Sequence, residues 1–222
     1  MKTFNYSSVT LNQLEQVFDI EKIHDRTVFE VWFSKPYNFA AEDNAFLEKL
    51  INKNVDHINN YTELELISKF IAPILNHIDF EIKDKHIRDW YEVQLKYETE
   101  EFVFNGRCDF VVAMGYDKPI NPYFFIQEFK QTTSAFPEYQ LLSEMIVATR
   151  LNDNSHVKGA FVIGSIWVFM ILNRLDNNKY QYCLSRKYDA IELDDLKQVY
   201  QLLQQVKSEL IEFREVTIIQ NI

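Results

Sequence analysis

Between residues 61 and 130 the apolar residues change period from 3.6 to two, and that switch limits the chain to folds that pack helices on a sheet. Over Tyr61–Ile78, the residues Leu64, Ile67, Ile71, Ile74, Leu75 and Ile78 form one stripe, the mark of a helix that buries one face. From Trp90 onward the stretches Tyr91–Tyr97, Glu101–Ala113 and Tyr123–Lys130 read as three consecutive strands. The Met114–Pro122 connection carries Gly115, Pro119 and Pro122, a turn composition. Pro137–Arg150 then reads as an amphipathic helix. Lys158–Ser165, Ile166–Asn173 and Lys179–Arg186 read as strands, with Asp176-Asn177-Asn178 as a hairpin turn. Asp194–Phe213 closes the pattern as a long helix. Helix, three strands, helix, strands, helix predicts an α/β layer arrangement around a mixed sheet.

Upstream, Thr10-Leu-Asn-Gln13 matches a capping box, with Leu11, Leu14 and Phe18 following at helical spacing. Thr27–Phe33 is β-branched and aromatic and predicts a short strand closed by Pro36. Phe39–Val55 predicts a helix with Phe46, Leu47, Leu50 and Ile51 on one face, ended by Asn59-Asn60. The expected organisation is an N-terminal, mainly helical extension over residues 1–60, packed on a core over residues 61–222 that ends in a C-terminal helix.

With 47% apolar and 15% aromatic residues, the chain can bury a sizeable core, which excludes intrinsic disorder. Two cysteines, Cys108 and Cys183, cannot form a disulfide framework and suit a reducing cytoplasm. The N-terminus lacks an apolar signal core, and the run Ile166–Leu172 is too short to span a membrane. A cytoplasmic protein without membrane contact is expected. The net charge of −10 excludes coating of nucleic acid by bulk charge.

The chemistry concentrates at Asp109, Glu128 and Lys130. Asp109 lies in Asn105-Gly-Arg-Cys-Asp-Phe-Val-Val, where a polar patch gives way to an apolar strand. Glu128 and Lys130 end the run Tyr123-Phe-Phe-Ile-Gln-Glu-Phe-Lys, apolar on both faces like a central strand. Residues two apart on a strand share a face, so Glu128 and Lys130 point together, roughly 7 Å apart along the chain. If the strands pair across the Met114–Pro122 turn, Asp109 approaches Glu128. Two carboxylates, a phosphate and waters suit Mg²⁺, a hard ion that prefers oxygen ligands. A lysine beside them can position or deprotonate water, or steady charge on a phosphate. Short E-x-K strings are common and also occur as solvated pairs at strand ends; the buried strand and the preceding Asp strand favour chemistry.

Glu63 adds a third carboxylate. It borders the stripe of Tyr61–Ile78, whereas Glu65 lies about 200° round the helix from it. Asn60-Tyr-Thr-Glu63 and Thr62-Glu-Leu-Glu65 both match a capping box, so Glu63 is open to either role on spacing alone.

Together, Glu63, Gly106-Arg-Cys-Asp109, Glu128-Phe-Lys130 and the helix containing Gln140 resemble the PD-(D/E)XK nuclease superfamily. Thr62-Glu63 through Phe70-Ile-Ala-Pro-Ile-Leu75 is also similar to the opening of nuclease domains in type I restriction subunits, which favours Glu63 over Glu65. The resemblance covers Tyr61–Trp167, about half the chain, and rests on short, degenerate motifs in order. It implies a restriction-endonuclease-like mixed sheet flanked by helices. It also implies a Mg²⁺- or Mn²⁺-dependent nuclease, with Asp109, Glu128 and Glu63 at the metal and Lys130 acting with the attacking water. Gln140 resembles the helix glutamine that some members place near the site; an ordinary helix-surface amide is its alternative. Nucleic acid, DNA first, is the implied substrate. A second copy or another protein is a further candidate partner.

A noncatalytic binding module that retains the fold is the alternative. The acidic composition and the aromatic residues Phe29, Trp32, Phe33, Tyr37 and Phe39 motivate it. Other chemistries lack support. The five histidines are scattered, the four glycines never cluster into a phosphate loop, and Gly164-Ser165 lacks the second glycine of a nucleophile elbow. Cys108 is expected to face away from Asp109 as a small buried apolar residue. Residues 145–190 hold six cations, Arg150, Lys158, Arg174, Lys179, Arg186 and Lys187, against Asp153, Asp176 and Asp189, a net +3. That stretch is a candidate phosphate-facing patch, with Trp167 or Tyr180 for base stacking; a randomly mixed surface is the alternative.

Overall fold

The computed structural model describes residues 2–131 and 136–213. Strand β1 (Lys2–Asn5) leads through a 3-10 turn at Tyr6–Ser8 to the one-turn helix α1 (Leu11–Leu14). The expected capping box opens α1: Gln13 N donates to Thr10 Oγ1 at 3.4 Å and Thr10 N to Gln13 Oε1 at 2.9 Å. Strand β2 (Asp19–Ile23) follows. The next stretch corrects an expectation: Thr27–Phe33 is no strand, but 3-10 over Arg26–Phe29 and then α2 (Glu30–Phe33). Asp25 Oδ1 caps the turn by accepting from Thr27 N at 2.9 Å, and Trp32 Nε1 donates to the Leu202 carbonyl at 3.1 Å. Burial of Phe29 and Trp32 against the C-terminal helix outweighs the β-preference of these side chains.

Helix α3 (Ala41–Asn54) forms as expected. The stretch from 63 to 78 is α4 (Glu63–Leu66), a π turn (Ile67–Ile71) and α5 (Ala72–Ile78). Ala72 N reaches back to the Ile67 carbonyl, one residue further than in an α-helix. Pro73 beside it has no N–H for a regular bond. The wider turn shifts the helix phase. Leu64, expected in the buried stripe, is 75% exposed, and Leu66 and Phe70 are buried instead. Ile71, Ile74, Leu75 and Ile78 keep the expected face.

Strands β3 (Ile87–Glu98), β4 (Phe102–Met114) and β5 (Ile120–Lys130) form an antiparallel set. Helix α6 (Pro137–Leu151) crosses over to β6 (His156–Ile163), which lies parallel to β5. Strands β7 (Ile166–Arg174), β8 (Lys179–Leu184) and β9 (Tyr188–Asp189) precede α7 (Leu193–Glu212). The sheet order is β1-β4-β5-β6-β7-β8-β2, with β3 also on β4 and β9 also on β7. It is a mixed sheet, as expected. The first sixty residues are not a purely helical extension, because β1 joins β4 and β2 joins β8, both parallel.

One face of the sheet carries α2, α3, α5 and α7 over a core that includes Phe110, Phe129 and Phe169. The other carries α6, with Tyr6, Leu14 and Phe18 from the N-terminal segment. Helix α6 is not amphipathic: every residue from Gln140 to Thr149 is buried. The sheet takes one side, and the Tyr6–Ser8 turn also packs on it. No helix among the described residues is long and apolar enough to cross a membrane.

Candidate active site

Strand β4 has three neighbours. Strand β3 takes one edge from Val103 to Met114, so β1 and β5 share the other. Strand β1 pairs with Phe102–Asn105 and β5 with Phe110–Met114, which leaves Gly106–Asp109 without a ladder partner on that edge. The Tyr6 ring packs on Gly106, where a Cβ would stand 2.6 Å from Tyr6 Cδ2. Gly106→Ala therefore overpacks this point and should cost about 1–3 kcal/mol of stability, read from the midpoint of urea unfolding. An unchanged midpoint would show that Tyr6 moves freely.

Beyond the pair Phe110–Gln127, side chains replace the backbone ladder. Asp109 N donates to Glu128 Oε1 at 3.2 Å, and Phe129 N donates to Asp109 Oδ2 at 2.8 Å. Each carboxylate is thus anchored by an amide of the opposite strand, and the two lie side by side. Lys130 Nζ lies 3.4 Å from both Asp109 Oδ2 and Glu128 Oε2. Burial favours the neutral amine, but the carboxylates of Glu128, Asp109 and Glu63 outweigh it and hold the Lys130 pKa above its ordinary value. Lys130 is an ammonium at neutral pH.

Below this trio lies a carboxyl that the sequence reading missed. Glu144, on α6, is fully buried and accepts from Gln140 Nε2 at 3.3 Å, while its Oε2 has no partner among the described residues. Burial, with Asp109 adding to it, pushes the Glu144 pKa up to about 8. Burial, the facing Glu144 and Asp109 likewise raise Glu128 well above the ordinary range. The two carboxyls share a dry space and together hold a proton. The Cys108 thiol is buried as expected, but it lies against Glu144 rather than away from the carboxylates, and burial raises its pKa. Glu92, opposite Asp109 on β3, has φ 54°. The strand pair is irregular at that point, so simple alternation fails there. The one available signal for Glu144 was a glutamate inside an otherwise apolar helical run, one turn after Gln140.

Glu63 is exposed at the start of α4, close enough for its charge to act on Lys130. Gln131 Nε2, donating to the Asn59 carbonyl at 3.3 Å, ties the end of β5 to the segment that leads into α4. Glu65 takes the capping role: Thr62 N donates to Glu65 Oε2 at 3.1 Å, and Lys69 Nζ lies 2.6 Å from Glu65 Oε1. The hydrogen bond from Lys69 and those from Thr62 hold its pKa down to about 2. Gln140 lines a cavity of about 390 Å³ together with Asp109 and Lys130, and Ser7, Ser8, Asn105 and Arg107 also line it. Among the described residues no three His, Cys, Asp or Glu side chains are grouped to hold a metal ion. The expected trio of Asp109, Glu128 and Glu63 is a pair with an outlying third carboxylate.

The net +3 stretch does not form a free patch. Lys158 pairs with Glu209, Arg174 with Asp153, Lys179 with Asp19 and Arg186 with Asp195. Arg150 donates to Tyr180 Oη at 2.8 Å and stacks on Phe18. Trp167 and Tyr180 are fully buried, so neither is available for base stacking. The N-terminal aromatics are equally committed: Phe29 and Trp32 are core residues, and Phe33, Tyr37 and Phe39 pack half-buried against it.

The chain matches no protein-family model and no curated protein.

Proposed function

We propose that the protein is a metal-dependent nuclease of the PD-(D/E)XK type, hydrolysing phosphodiester bonds of DNA in the cavity over Asp109, Glu128 and Lys130. The observation that carries the reading is the break between β4 and β5, where two strand-anchored carboxylates flank one ammonium at equal distance. The mixed sheet with α5 and α7 on one face and α6 on the other supports a restriction-endonuclease-like core.

The donor set fits Mg²⁺ or Mn²⁺: two carboxylates supply hard oxygen ligands, and the Lys130 ammonium between them marks a place that already favours positive charge. Asp109 and Glu128 would hold the ion, with Glu63 at the rim as a further carboxylate. The bound ion would neutralise charge on the phosphate and acidify its water. Lys130, kept protonated by its neighbours, donates to a phosphate oxygen and steadies the charge that builds there. Gln140 fixes Glu144, and Glu144 faces Glu128, so α6 holds the metal-side carboxylate in place.

The test is incubation of purified protein with linear, circular and single-stranded DNA and with RNA, in Mg²⁺, Mn²⁺ or EDTA. Cleavage that requires metal is expected; no cleavage of any substrate in either metal contradicts the reading. Thermal unfolding adds a check on the third carboxylate. Divalent metal at a hundredfold excess over its Kd should stabilise the fold by about 2.7 kcal/mol. Glu65→Gln should leave that response intact, because Glu65 is committed to the cap. Its loss in Glu65→Gln but not in Glu63→Gln would reassign the rim carboxylate.

A further inference from the structure

The face of the sheet that carries Glu128 and Lys130 continues past the first turn of α6 into a groove of about 890 Å³. Its floor includes Phe161, Val168 and Leu184, from β6, β7 and β8. Phe161 is the register partner of Glu128, so the groove begins one strand, about 5 Å between backbones, from Glu128 and two strands from Asp109. Its walls are basic and come from distant segments: Lys22 at the end of β2, His24 and Arg26 after it, and Arg186 and Lys187 between β8 and β9. Glu138 is the single acidic lining residue, and it is committed to Lys22 at 2.7 Å and to Tyr182 Oη at 2.9 Å.

Arg186 is braced by Asp195 at 2.7 Å and by the Tyr188 ring at 3.9 Å. Arg26 and Lys187 are exposed and, among the described residues, have no carboxylate within ion-pair distance. Isolated surface cations are ordinarily solvated. Here four converge; Lys22 is paired with Glu138 and Arg186 with Asp195, which leaves Arg26 and Lys187 as a net excess of two positive charges, in a chain of net charge −10, on the face that holds the candidate active site. Such a local excess of positive charge matches a polyanion.

We propose that this groove binds the phosphate backbone of the nucleic-acid strand that enters the Asp109–Glu128–Lys130 site, and that the N-terminal segment contributes Lys22, His24 and Arg26 to it. The inference rests on the nuclease reading for the identity of the strand. Arg26 and Lys187 are the informative positions, because neither holds the fold through an ion pair.

The test is fluorescence anisotropy with a labelled single-stranded oligonucleotide and its duplex, over a salt series in EDTA. All proteins carry Asp109→Asn, so that no turnover occurs. Adding Arg26→Ala and Lys187→Ala should weaken binding at least about tenfold. It should also lower the slope of log affinity against log salt by about 1.4 for the single strand, two contacts at about 0.7 each. Adding Lys49→Ala and Lys53→Ala, exposed on α3 beside the other core, should change affinity less than twofold. Wild-type affinity in the groove variant, equal weakening by the α3 variant, or no binding of either probe overturns the proposal. Because this readout needs no cleavage, an inactive protein that still binds through Arg26 and Lys187 would sink the catalytic reading and leave the groove standing.

Discussion

Asp109→Asn should lower metal-dependent cleavage by at least about a thousandfold, while the metal-free protein stays as stable as wild type or becomes more so. The loss corresponds to about 4 kcal/mol of transition-state stabilisation, a reasonable value for removing a ligand of a catalytic ion. The stability follows from the local bonds. An asparagine Oδ1 can still accept from Phe129 N, which Asp109 Oδ2 now does at 2.8 Å. Lys130 keeps Glu128 at 3.4 Å, and one of the negative charges that raise the Glu128 and Glu144 pKa values disappears. The same variant should lose the metal-induced rise in Tm, which for a chain of this size is about 5–10 °C at a hundredfold metal excess. A variant that unfolds at lower temperature without metal, or that keeps both cleavage and the metal response, contradicts this assignment of Asp109.

Glu144→Gln should stabilise the protein at neutral pH and flatten its stability between pH 5 and 8. The Glu144 pKa rises from 4.5 to about 8 in the fold. The folded state therefore binds a proton that the unfolded chain has released above pH 4.5. Its stabilising contribution is complete below that value and is lost as pH rises towards 8. At pH 7 the penalty falls on the Glu144–Glu128 pair, which must lose its proton as pH rises further. Glutamine keeps the shape, carries no titrating group and can donate its amide to the Glu128 carboxylate, so the penalty vanishes. Urea unfolding of both proteins across this range checks the claim: the curves should converge near pH 5 and separate towards pH 8. Parallel curves would show that Glu144 is not the group that titrates.

Much of the architecture was legible because long segments carry one unbroken period. The strand runs of β3, β4 and β5, the turn at Asp176-Asn177-Asn178 and the helical run of α7 all form where their patterns predict. Failures cluster where a neighbour overrides the local signal. Thr27–Phe33 has strand composition, yet Trp32 finds its partners on α7. Leu64 matched the helical stripe, but the π turn ahead of Pro73 shifted the phase and left it exposed. At the site, Glu128 and Lys130 were readable from strand spacing, and the turn between β4 and β5 announced that Asp109 comes near them, although alternation fails at Asp109 itself, where the strand pair is irregular. Glu144 was not, because its meaning depends on which helix face meets Glu128, a tertiary fact. The charge count over residues 145–190 misled for the same reason. Most of those cations are neutralised by carboxylates far away in sequence, such as Asp19 and Glu209.

The central claim is that the Lys130 ammonium between Asp109 and Glu128 serves phosphodiester hydrolysis. The most direct measurement is the rate at which wild-type protein and Lys130→Ala, purified identically and with matched unfolding profiles, convert supercoiled DNA to nicked or linear product in Mg²⁺ or Mn²⁺. The account predicts product with wild type only when metal is present, and a rate for Lys130→Ala lower by about 10²–10³. A Lys130→Ala protein that cleaves at the wild-type rate, or a folded wild type that binds metal and leaves the DNA intact, would contradict it.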